Sequence, residues 1–235
     1  MNLIGHLACA GEASAAVRVG ALLPDLLSLY RRKARPQPLV AHWNEHGAAL
    51  SGADALVAGI DFHHHVDREF HHAPVFEDTA TAVQAAMKAA SDTPGLKRFL
   101  PAHVLTELFL DHLLLQDHPE WERVFYTTLE SQRRGLLLPF VSAHPLVHGR
   151  TFSEFLDRII GGRFVEDYHH IDGILDRMDR VLVRFGQRAL ELGEQEAVAG
   201  VFASRAEIAR VQLHAFIAAT RSTFAGQSMW LEPAA

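Results

Sequence analysis

Cysteine is nearly absent from these 235 residues, and the single Cys9 excludes an internal disulfide and a thiolate-rich zinc site. No apolar run approaches the roughly 18 residues a membrane helix needs, so no membrane partner is expected. Positive charge is not in excess either. A net charge of −6 argues against a nucleic-acid partner. The opening segment carries no cation before its apolar stretch, and His6 interrupts that stretch. It is a poor signal peptide, so a cytoplasmic protein is expected. Val, Ile and Thr never form the alternating runs that mark strands. Three signatures are also missing: a Gly-x-Ser-x-Gly elbow, a glycine loop ending in Lys-Ser/Thr, and a His-Glu-x-x-His pair. Cys9 has no neighbouring cluster to activate it as a nucleophile.

Hydrophobic residues at 49% and charged residues at 21% sit near globular averages, enough for a full core and against disorder. Histidine is the outlier, with 16 copies against three Trp and three Tyr. It is the residue of metal ligation, proton transfer and pH response, so composition points to a site.

The pattern is helical throughout. Helices are expected over about 13–30, from a Ser51–Asp54 cap to about His72, and over about 74–91 behind Pro74. Asp92-Thr93-Pro94-Gly95 reads as a turn. Further helices are expected over about 101–117 and from Pro119 to about Arg134, before a looser stretch over about 135–150. Thr151 and Glu154 read as a capping box for a helix ending at Gly161-Gly162. Long helices are expected over about 164–192 and 203–224. No repeat or linker divides the chain, so residues 1–235 read as one all-α domain, a helical bundle.

Two of these helices carry polar residues where a buried helix should be apolar. Residues four apart stay on one helix face, drifting about 40° per step. His63, Asp67 and His71 therefore form one stripe, flanked by Ile60, Phe62, Val66 and Phe70. His103, Glu107 and Asp111 form a second, among Leu105, Leu108 and Phe109. Taken alone, a His–Asp pair on a helix reads as an ion pair or a supporting hydrogen bond. Buried carboxylates need partners, however, and imidazoles with carboxylates on facing helices are how bundles build metal sites. Mixed nitrogen and oxygen donors suit manganese, iron or zinc better than calcium. His6, Asp25, His169 and His170 are further candidates, whereas His42, His46, His118, His144, His148 and His214 read as surface or loop residues.

At these residues the sequence resembles the acyl-carrier-protein phosphodiesterase family, HD-type all-helical metal hydrolases. Four segments carry the resemblance: the opening Met1-Asn2-Leu3-Ile4-Gly5-His6-Leu7, Gly20-Ala21-Leu22-Leu23-Pro24-Asp25, Gly59-Ile60-Asp61-Phe62-His63-His64-His65-Val66-Asp67, and Leu108-Phe109-Leu110-Asp111-His112-Leu113-Leu114. The resemblance implies an HD-domain-like bundle and hydrolysis of a phosphodiester with a divalent metal, manganese first, iron or zinc next. The family's ester joins 4′-phosphopantetheine to acyl carrier protein. The matching positions carry over His6, Asp25, His63, Asp67, Asp111 and His112 as site residues. Four positions depart from the family pattern. An Asp is replaced by His71, a His by Ala73, and a Gly and an Asp on the other helix by His103 and Glu107. These changes keep or add ligands.

The expected metal set is therefore His6, Asp25, His63, Asp67, His71, His103, Glu107 and Asp111. His64 or His112 is expected to orient water or protonate the leaving alkoxide. The expected substrate is acyl carrier protein or a small phosphoester, with Arg31, Arg32, Lys33 and Arg35 as the basic surface for an acidic carrier. The alternative is a non-catalytic metal-binding or interaction protein on the same scaffold. A di-metal oxidoreductase is disfavoured because paired Glu-x-x-His motifs are absent.

Overall fold

A computed structural model describes residues 1–46, 49–94 and 96–225. Among them lie eleven α-helices and no strand. Gly95 of the expected turn lies outside the described residues. No helix among the described residues is long and apolar enough to cross a membrane.

Two helices were hidden in the sequence pattern, and a third starts two residues later than expected. α1 (Leu3–Ala10) begins at the second residue boundary and is fully buried. α2 (Ala15–Tyr30) opens on Ser14, whose Oγ accepts from Val17 N at 3.4 Å. α3 (Gln37–His46) forms where Pro36 and Pro38 read as breakers, because proline suits a helix start.

α4 (Ala53–Phe70) starts on Gly52 at φ 86°, with no side-chain cap, so Gly52 does what Ser51 and Asp54 were expected to do. α5 (Pro74–Ala90) opens on Pro74 as expected. α6 (Phe99–Asp117) is apolar almost all round and is the central helix, buried along most of its length.

α7 (Glu120–Gln132) passes through a π turn, Arg133–Leu137, into the short α8 (Leu138–Val141). α9 (Gly149–Gly161) begins two residues before the expected capping box. Thr151 is already inside the helix, and its hydroxyl bonds His148 O at 3.1 Å and Tyr30 at 2.7 Å. The expected helix over about 164–192 is broken. It comprises a 3₁₀ turn, Phe164–His169, then α10 (Ile171–Arg184), then a non-helical stretch with Gly186 at φ 69°. α11 (Leu192–Phe224) starts well before 203, on a capping box of Glu191 and Glu194.

One continuous core joins these helices. α2 and α4 pack hardest, and a glycine pair sets their distance. A Cβ on Gly20 would lie 2.2 Å from Leu56 O, and one on Gly59 would lie 2.2 Å from Val17 O. Only glycine at both positions lets the two backbones meet this closely. That contact brings Ala21 of α2 beneath His63 of α4.

Candidate metal centre

Four helices converge on one point. α1 delivers His6, α2 delivers Asp25, α4 delivers His63, Asp67 and, at its C-cap, His71, and α6 delivers His103 and Glu107.

Two donor sets result. In the first, His6, His63 and Asp67 each offer one ligand atom, all within 4.8 Å of one another. His6 Nε2 lies 3.2 Å from Asp67 Oδ1, and His63 Nε2 lies 3.4 Å from Asp67 Oδ2. The two rings stack with centroids 3.9 Å apart. Nδ1 of His63 donates to Ala21 O at 2.8 Å, which turns Nε2 toward the site. Asp25 sits at the margin, its Oδ2 4.0 Å from His6 Nε2.

In the second set, His71, His103 and Glu107 meet by the same 4.8 Å measure. His71 Nε2 and His103 Nε2 lie 3.1 and 3.4 Å from the same Glu107 oxygen. The two sets cut across the expected stripes: His71 leaves the α4 stripe to join His103 and Glu107, and Asp111 joins neither set. The N-terminal ammonium of Met1 lies between them, 2.9 Å from Asp67 Oδ1 and 2.9 Å from Glu107 Oε1.

Charge is tuned strongly here. Burial pushes His6 down to about 3, and neighbouring His63 adds to this, so His6 is neutral. Burial works against ionised Asp67, but His6, His63 and the Met1 ammonium outweigh it and hold the carboxyl below its usual range. Glu107 is held low in the same way, by the ammonium, His103 and His71. Burial pushes Asp25 up to about 7, with Asp67 and Glu107 adding to the rise. His6 is thus already a neutral donor beside ionised carboxylates, whereas Asp25 and Asp67 raise the His63 pKa against its burial, so His63 would give up a proton to bind a divalent cation.

Three expected residues stand apart from both sets. Asp111 is buried and accepts from Ile4 N at 3.1 Å and Gly5 N at 2.8 Å, so it caps the N-terminus of α1. Burial pushes its carboxyl up to about 8. His112 donates from Nδ1 to Tyr168 O at 2.8 Å, which ties the 3₁₀ turn to α6. His64 stands edge-on to His63, with ring centroids 5.4 Å apart.

Among the other histidines, His169 pairs with Glu122 at 2.9 Å. His144 is a loop residue, as expected, but not a surface one. It is buried and fixes a turn by contacting Arg35 O at 2.8 Å and accepting from Leu146 N at 2.9 Å. Cys9 is buried and its thiol is pushed up to about 12 by that burial, in keeping with an inert side chain.

Sequence reasoning missed a cavity of about 400 Å³ that opens on Asp25 and Glu107. Asn2, Tyr168 and Arg177 line it. The Tyr168 hydroxyl lies 3.4 Å from the Asn2 amide, and burial raises its pKa, so it stays a proton donor. Neither residue belongs to a histidine–carboxylate stripe, and the turn that presents Tyr168 was read as helix.

The family model described as acyl carrier protein phosphodiesterase matches residues 1–218 of the chain. No curated protein and no solved structure matches it at a significant level. With the match extending from α1 far into α11, the chain belongs to the acyl carrier protein phosphodiesterase family.

Proposed function

We propose that this chain is a cytoplasmic, metal-dependent phosphodiester hydrolase whose substrate is acyl carrier protein. One observation carries the metal. His6 is wholly buried, its Nδ1 has no hydrogen-bond partner, and its Nε2 meets the Asp67 carboxylate at 3.2 Å. An orphaned buried imidazole nitrogen is costly unless something absent from the polypeptide completes the site. The donor chemistry fits a transition metal, with manganese favoured by the carboxylate content and iron or zinc next.

His6, His63 and Asp67 hold one ion in this reading, with Asp25 beside them. His71, His103 and Glu107 form the second donor set. The bound metal supplies Lewis acidity to the phosphoryl group and a nucleophilic water near neutral pH. The chain's own groups do the rest. Ala21 O fixes the His63 ring, Asp111 fixes α1 and hence His6, and the Tyr168 hydroxyl donates toward a phosphoryl oxygen. Arg177, held by Asp167 at 2.7 Å, offsets phosphate charge from the cavity wall. His64, half-buried and outside the donor sets, is the proposed proton donor to the leaving alkoxide. His112 acts by holding the Tyr168 turn in place.

The test is elemental analysis of protein purified without chelator or histidine tag, followed by turnover of acyl carrier protein with manganese added back. Asp67→Asn and Glu107→Gln are expected to lower bound metal and to reduce turnover at least a hundredfold while the helical circular dichroism is kept. Full metal occupancy in both variants, or no release of the prosthetic group by the metal-loaded wild type, overturns the reading.

A further inference from the structure

The reading above places one ion, at His6, His63 and Asp67. The second donor set is built differently. His103 and Glu107 stand one turn apart on the same face of α6, and His71 reaches them from the C-cap of α4. Both imidazole Nε2 atoms converge on one carboxylate oxygen, Glu107 Oε1, at 3.1 Å from His71 and 3.4 Å from His103. The two rings lie 4.7 Å apart. Phe76 of α5 is buried and stands edge-on to both, at 4.8 and 4.9 Å, so it walls the pair into position.

Two features separate this set from the first. It has three donors, and among the described residues no further His, Cys, Asp or Glu completes it, whereas Asp25 stands beside the first set. It is also open to solvent. The His71 and His103 side chains are 29% and 30% exposed, against 0% for His6 and 4% for His63. Two imidazoles and one glutamate form the pattern of an open zinc site, which keeps a position for water or substrate. A cation is already drawn here, because the Met1 ammonium lies 2.9 Å from Glu107 Oε1 and 3.5 Å from His71 Nε2. The same nitrogen lies 2.9 Å from Asp67 Oδ1, so at most twice that distance separates the carboxylate oxygens of the two sets.

We infer that His71, His103 and Glu107 bind a second divalent ion, of the zinc class, which loads and exchanges independently of the ion in the buried set. The donors favour zinc over manganese, because two imidazoles with one carboxylate suit it and zinc ranks above manganese for such ligands. The first set gains oxygen character from Asp25, which suits manganese, and its burial slows exchange. An ion in the second set takes Glu107 Oε1 from the ammonium, which keeps its contact with Asp67. Glu107 also lines the cavity, so the second ion stands at the cavity's edge, where a phosphoryl oxygen can complete its coordination. The first ion belongs to the metal-centre reading, whereas the second rests on its own three residues and is tested apart from it.

The probes are manganese and zinc themselves. Protein loaded with one equivalent of manganese and desalted is titrated with one equivalent of zinc. Elemental analysis is expected to find one of each ion per chain, and electron paramagnetic resonance is expected to find no manganese freed to solution. Protein loaded with two equivalents of zinc is expected to release them to chelator in two phases at least tenfold apart. In His71→Ala/His103→Ala the faster phase is expected to vanish and manganese uptake to be kept. Binding of the second zinc is expected to weaken by about a hundredfold or more, with two of three ligands gone. Both rings are partly exposed, so the helical circular dichroism is expected to match wild type, and His103→Ala alone puts the same question if it does not. Zinc that displaces manganese one for one, a single release phase, or second-zinc uptake that survives loss of both histidines overturns the inference. The two readings fail differently. Manganese loading with no further zinc taken up removes the second site alone. Zinc uptake that is lost with the two histidines, in protein that never takes up manganese, removes the buried-ion reading alone.

Discussion

Asp111 shows how a side chain with a ligand's chemistry can serve the site without joining it. It shares a stripe with His103 and Glu107 by number, yet two helical steps of drift amount to about 80°. That rotation aims it at α1, where its two oxygens take the Ile4 and Gly5 amides. Asp111→Ala leaves two buried N–H groups unpaired and is expected to destabilise the protein by about 1–3 kcal/mol. Urea unfolding measures this. Glu107→Gln serves as the contrast, because it is expected to lose metal, whereas Asp111→Ala leaves both donor sets intact. If Asp111→Ala matches wild type in urea yet loses its metal, Asp111 is a ligand and the capping role is wrong.

At the scale of elements, the pairing of α2 with α4 positions the first donor set. Gly59→Ala would set a methyl group 2.2 Å from Val17 O and 2.7 Å from Gly20 Cα. Both obstacles are backbone, so the helices must separate. The expected cost is about 1–3 kcal/mol, as for an overpacked core, with a loss of metal affinity because Ala21 O withdraws from His63. Thermal unfolding and manganese titration read the two effects separately. Full affinity in a destabilised Gly59→Ala would show that the Ala21–His63 bond does not orient the ligand.

The same scale explains what the sequence could reveal. α4 and α6 were legible because His63, Asp67 and His71, and His103 and Glu107, repeat at helical spacing inside apolar surroundings. α1 was not, because its cap comes from Asp111, more than a hundred residues downstream. The break at His170 was hidden because helical periodicity runs straight through it. There Gly173 packs so closely on the 3₁₀ turn that a Cβ would sit 2.2 Å from Asp167 O, a contact between two segments that no local pattern encodes. The cavity was illegible for the same reason. Arg32, Val104 and Arg184 come from three separate segments of the chain, and only the fold brings them to one cavity.

For the whole molecule, the decisive quantity is how the centre couples to global stability. Asp67 and Glu107 are ionised in a site that also contains Asp25, and His6 is buried with no partner for its Nδ1. These are groups the folded chain holds together at a cost in charge repulsion and lost solvation. A metal that binds the folded chain alone must therefore raise its stability by mass action. At a hundred times the dissociation constant the gain is about 2.7 kcal/mol. In a chain of this size that corresponds to a rise in Tm of about 5–10 °C. Chelator is expected to reverse the rise, and manganese to restore it over calcium at equal concentration, because calcium gains little from imidazole. In Asp67→Asn/Glu107→Gln the manganese-dependent rise should shrink to below about 1 °C. The metal-free double variant should melt below metal-free wild type, because Asn and Gln leave the buried Met1 ammonium without its two carboxylate partners. A manganese-dependent rise of full size in the double variant would place the stabilising ion elsewhere on the protein.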